Sequence, residues 1–99
     1  MKIYDFNGKK NLCGKRVKEA RRKKHLSQAD LAAALQIRGV IIERDSISRI
    51  EIGTRFVCDY EIPQLADCLG VSVEWLLGLE SKEIQSQYTD RLISNEVNI

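Results

Sequence analysis

Read for hydrophobic period, the chain divides into short amphipathic helices separated by polar turns. Val17 and Ala20, with Cys13, share one face of a stretch from Cys13 to Lys24 that is otherwise rich in Lys, Arg, Glu and Ala, so a first helix is predicted there. It stops at His25, a lone histidine assigned to turn geometry rather than to chemistry. Ser27 caps a second helix, Asp30 completes a capping box, and Leu26 with Leu31 forms a hydrophobic staple. Leu31, Ala32 and Leu35 face inward from that helix, and the run Ala32, Ala33, Ala34 admits another backbone at close range. A third helix begins near Arg44, turns Ile47 and Ile50 inward and stops at Gly53, which takes the left-handed conformation that ends helices. Asp59 is the expected cap of a fourth, with Pro63 in its first turn and Ile62, Leu65, Ala66 and Leu69 in the core. Gly70 ends it and Ser72 caps a fifth helix, with Val71 and Leu76 as a staple and Trp75, Leu76 and Leu77 sealing the core. Phe56 and Tyr60 are read as core aromatics.

The pattern weakens at both ends. Residues 1–11 have no clear period and are read as an arm, and residues 12–78 as the folded domain. Residues 79–99 are a polar tail in which Ile84, Tyr88 and Leu92 fall at helical spacing behind Ser81, a stripe that suits pairing of subunits, docking on the same chain or a frayed end equally. Between the second and third helices the turn QIRGVIIE is long. Ile37, Val40 and Ile42 are expected to pack its apolar side down and Gly39 to bend it, leaving Arg38 free to reach a phosphate backbone; the alternative is simply a longer loop.

The third helix is polar on its other side. Arg44, Asp45, Ser48 and Arg49 share a strip opposite Ile47 and Ile50. An arginine can grip guanine O6 and N7 together, an aspartate accepts from cytosine N4, and a serine serves either base. By itself such a strip is more often a solvated helix face. Charge shifts that balance. Net charge is +2, yet residues 1–25 carry ten Lys and Arg against Asp5 and Glu19, a net +8 that leaves −6 for the rest. A basic segment beside a polar helix is the footprint expected of a partner rich in phosphate. Arg21 lies on the inner side of the first helix with Val17 and Ala20, and Glu51 points inward from the last turn of the third, so the two are expected to form a buried ion pair. Arg55 is the best loop candidate for a phosphate.

Composition narrows the classes. At 99 residues, 43% hydrophobic and 30% charged, the chain fits one small globular domain. It has no apolar run near the ~20 residues of a membrane span and no apolar signal core at its start, so a cytoplasmic location without a membrane partner is expected. Cys13, Cys58 and Cys68 are odd in number and lack a CxxC pair, which argues for reduced packing thiols over a disulfide framework or zinc site. No Gly-rich phosphate loop, metal-ligand cluster or nucleophile set stands out, so neither enzyme activity nor a cofactor is expected.

The runs VKEARRKKHLSQADLAAAL, ISRIEIGTR and LADCLGVSVEWLLG together resemble the helix-turn-helix domain of the Cro and lambda-repressor-like family, also called the xenobiotic-response-element family, over about residues 13–78. The resemblance implies an all-α, lambda-repressor-like fold: a compact bundle of about five short helices, here with an extended turn between helices 2 and 3. It implies that the third helix enters the DNA major groove. Arg44, Asp45, Ser48 and Arg49 fall at or near the family's base-contacting positions, and Arg21 and Glu51 on its buried ion pair. Gln28 falls where the family touches a phosphate and braces the reading residues, a role that a helix N-terminus also favours, and Ser46 falls at a backbone contact. Three features depart from the family: the turn is about five residues longer, Glu43 stands where Ser or Thr caps better, and Ile52 replaces an asparagine before the closing glycine.

The leading expectation is therefore a sequence-specific regulator, a repressor, that binds double-stranded DNA as a homodimer. The alternative is an antitoxin-like protein whose main partner is another protein, with DNA binding as autoregulation. A pure interaction domain ranks third.

Overall fold

The computed structural model describes residues 6–79, and the tail stripe of Ile84, Tyr88 and Leu92 with its cap Ser81 lies outside them. Five helices follow in order: α1 (Gly14–Lys23), α2 (Gln28–Ile37), α3 (Arg44–Ile52), α4 (Glu61–Leu69) and α5 (Val73–Leu76). The architecture is an all-α bundle, and among the described residues the one β feature is an isolated bridge between Phe6 and Lys9. No helix among them is long and apolar enough to cross a membrane.

Local chemistry sets the helix ends. Ser27 Oγ accepts from the Asp30 amide at 2.9 Å while Asp30 Oδ2 accepts from the Ser27 amide at 2.9 Å, closing the capping box that starts α2. Gly53 ends α3 at φ +96°, where its amide and that of Thr54 return to the Arg49 carbonyl. Ser72 Oγ accepts from the Trp75 amide at the start of α5. α4 starts differently from the expectation. Asp59 makes no cap; Tyr60 occupies the cap position in a helical conformation, and the Glu61 carboxylate accepts the Cys58 amide at 2.9 Å.

Val17, Leu31, Leu35, Ile47, Ile50, Leu65 and Leu76 form the centre of the core, with Cys13, Val40 and Ile42 beside them. Burial pushes the Cys13 thiol up to about 11, so it packs as a small apolar group. α1 meets α3 at Gly14, where an added Cβ would lie 2.1 Å from the Ile50 carbonyl oxygen; only glycine permits this approach. Phe56 and Tyr60 are not core residues. Both are exposed, Phe56 lying under the Lys10 ammonium at 5.4 Å, because α3 to α4 crosses by a surface loop whose inward anchors are Val57 and Glu61 instead. Trp75 is half-buried and stacks against the Arg16 guanidinium at 4.9 Å, leaving Leu76 to seal the core.

Residues 6–11 are not a free arm. Lys10 donates its amide to the Gly53 carbonyl at 2.8 Å and Lys9 Nζ reaches the Ile52 carbonyl at 2.9 Å. Asn11 Nδ2 donates to the carbonyls of Ile50 and Arg55 at 3.1 and 2.8 Å, while its Oδ1 accepts the Gly14 amide at 2.8 Å. A helix leaves its last carbonyls without partners, and here this segment supplies them for α3.

Candidate nucleic-acid interface

α3 is held from behind by one carboxylate. Glu51, on its last turn, receives Arg21 Nε at 2.6 Å and Arg21 Nη2 at 3.0 Å, and also Gln28 Nε2 at 3.0 Å. Arg21 Nη1 in turn donates to the Leu26 carbonyl at 2.8 Å. Helix 1, the turn after it and the first turn of helix 2 therefore converge on one side chain of α3. Both partners are well shielded from water, and hydrogen bonding to Glu51 outweighs burial to hold the Arg21 guanidinium more firmly protonated than usual. With Ile47 and Ile50 buried, α3 cannot roll about its axis without breaking this network.

The opposite face turns outward. Arg44, Asp45 and Arg49 are exposed, and Ser46 and Ser48 half-exposed, so the strip of candidate base contacts stands together on the outer side of α3. Arg44 Nη2 and Asp45 Oδ1 pair at 3.1 Å, both more than half in water. An ion pair so solvated contributes little and opens readily to a competing base edge or phosphate.

Two other assignments change, and a third gains a partner. Arg38 is not free: its Nε donates to Gln64 Oε1 at 2.7 Å and its Nη2 pairs with Asp67, fastening the inserted turn to α4. Arg55 does not project as a loop cation. Its two terminal nitrogens donate to the Glu61 carboxylate at 3.1 Å each, and Nη1 also reaches the Phe56 carbonyl. Gln28 Nε2 donates to Glu51, so it braces α2 against α3, as expected of it, and its amide nitrogen keeps a second N–H.

The inserted turn is built in two layers. Val40 and Ile42 are buried, whereas Ile41 between them is exposed, as is Ile37 at the end of α2, which was expected to pack down. Gln36 Nε2 donates to the Ile42 carbonyl at 2.6 Å and the Val40 amide to the Leu35 carbonyl at 3.0 Å. Gly39, at φ +87°, makes the bend.

A basic stripe lies beside the strip. Lys15, Lys18 and Arg22 recur at i, i+3 and i+7 on α1, so they share one face, and all three are exposed. Lys15 lines a crevice with Glu51 and Ile52. Charge counting had marked the segment; helical period within it picks out these three. Lys23 lines a separate cavity of about 550 Å³ with Leu69, Val71 and Trp75. Among the described residues no group of three His, Cys, Asp or Glu side chains is arranged to hold a metal ion.

A scan against protein-family models finds no match for this chain, and a search of curated proteins finds none either.

Proposed function

We propose that the chain is a sequence-specific DNA-binding regulator, acting as a repressor, that inserts α3 into the major groove. The observation that carries this reading is the division of α3 into two faces: Glu51, Ile47 and Ile50 fix its inner side, and the outer side gathers Arg44, Asp45, Ser48 and Arg49. A rigidly held helix of this width fits the groove, and these side chains match the donors and acceptors of base edges there. Lys15, Lys18 and Arg22 supply cations for the flanking phosphates. The likeness of the LSQ and ISRIEIG runs to the Cro and lambda-repressor-like family supports the same reading.

Such readers work as symmetric pairs, so a homodimer on two half-sites about one helical turn apart is part of the proposal. The test is selection of bound duplexes from a random pool at near-physiological salt, followed by the salt dependence of the preferred site. An inverted repeat with an affinity that falls steeply with salt supports the reading. An unenriched pool overturns it and directs attention to a protein partner.

A further inference from the structure

Ile41 is 88% exposed, as isolated from the core as any large apolar side chain of the described residues, and Ile37 is its near equal at 87%. Their settings differ. Ile37 closes α2, whereas Ile41 lies in the extended lead-in to α3, three residues before Arg44.

That lead-in is not a loose loop. In an extended stretch successive side chains alternate sides. Val40 and Ile42 go into the core, and Ile41 and Glu43 go outward, as their burial records. The stretch is pinned at Ile42 by Gln36, at Val40 by the Leu35 carbonyl, and through Arg38 to Gln64 and Asp67 on α4. Ile41 is thus presented to water at a fixed place, continuous with the outward N-terminal end of α3. A branched apolar side chain held in water gains by meeting an apolar surface. At the edge of a base pair in the major groove, the apolar group on offer is the C5 methyl of thymine.

We infer that Ile41 is a specificity-determining residue that packs against a thymine methyl next to the bases contacted by Arg44 and Asp45. This rests on the reading of α3 as the groove-binding helix. The inserted turn is then part of the recognition surface: it carries an apolar reader beside a polar strip, and its anchors to α2 and α4 hold that reader in register.

The experiment uses the full chain and the duplex recovered by selection. Each thymine of one half-site is replaced in turn by deoxyuridine, which removes only the methyl, and affinities are measured for the unaltered protein, Ile41→Ala and Ile37→Ala. The unaltered protein is expected to lose about fourfold at one thymine, the scale of one buried methyl group. Ile41→Ala should bind the thymine and deoxyuridine duplexes equally at that position, and Ile37→Ala should keep the difference. If no thymine responds, or if Ile41→Ala keeps the response, the assignment of Ile41 is overturned while the DNA-binding reading stands. Failure to recover any preferred duplex overturns both.

Discussion

Glu61 is only 3% exposed, and its carboxylate receives both terminal nitrogens of the half-buried Arg55 at 3.1 Å, so the loop after α3 is tied to the first turn of α4 by a second acid–arginine pair. Burial alone would raise the Glu61 carboxyl; the hydrogen bonds from Arg55 and the Cys58 amide, with the charge of Arg55, outweigh it and hold it below the usual carboxylate range. A carboxylate whose folded value is depressed contributes stability that is present above its unfolded value and lost as pH falls through the folded one. Glu61→Gln should therefore lower the melting temperature at neutral pH, by about 12–24 °C if the pair contributes about 3 kcal/mol. The gap between the two proteins should close below about pH 4. Melting curves from pH 7 to 3 check this, and a gap that stays constant with pH would mean that the charge of Glu61 is not what stabilises the loop.

Asn11 gives a second prediction, because its amide is oriented by function on both sides. Its nitrogen serves two carbonyls, those of Ile50 and Arg55, and its oxygen serves the Gly14 amide. Asn11→Ala leaves these half-buried groups without partners and should destabilise by about 1–3 kcal/mol. Asn11→Asp keeps the acceptor for Gly14 but turns a carboxylate toward two carbonyl oxygens, so it should lose at least as much. Urea midpoints decide; an aspartate variant as stable as the original would place the amide elsewhere.

These two sites mark where the chain could and could not be read directly. Helices α2, α3 and α5 were legible because period and caps agree: Ser27 with Asp30, Gly53 and Ser72 each act within a few residues of the signal, while α1, which has no side-chain cap at its start, was legible from period alone. Gly70 ends α4 with a left-handed φ of +69°, yet the start of α4 differs from the expectation by one residue, since Tyr60 and not Asp59 takes the cap position and makes no side-chain cap bond there. Docking of residues 6–11 was invisible because it uses backbone carbonyls and an asparagine, with no apolar pattern to announce it. Arg38 and Arg55 were assigned to phosphates because an arginine in a loop has no local sign of its partner; Asp67 and Glu61 are brought to them by the packing of α4. The outward strip on α3 was readable, since opposite faces of one helix follow from spacing alone.

Arg44 and Arg38 separate a reading arginine from a structural one. Arg44 is exposed and paired only with its neighbour Asp45, whereas Arg38 is turned toward α4. On the selected duplex Arg44→Ala should lose about 1–3 kcal/mol and relax the preference at one base position. Arg38→Ala should leave the salt dependence of binding unchanged. Competition with single-base variants of the site tests the first, and titration across salt tests the second. A loss for Arg44→Ala that is equal on every sequence would reassign it to phosphate.

The basic stripe on α1 makes the last prediction. Each phosphate neutralised by a lysine or arginine releases condensed counterions, so affinity falls with salt in proportion to the number of such contacts. Lys18 and Arg22 share a helix face with Lys15, which lines a crevice with Glu51 and Ile52 of α3, whereas Lys23 lines a cavity with Trp75 of α5. If α3 lies in the groove, only the first face meets the neighbouring backbone. Lys18→Ala and Arg22→Ala should each weaken binding to all sequences alike and reduce the slope of log affinity against log salt by about 1. Lys23→Ala, with the same change in net charge, should leave that slope intact. Equal effects from all three would mean that the segment acts through overall charge alone, and a larger effect from Lys23 would turn the opposite side of the bundle toward the DNA.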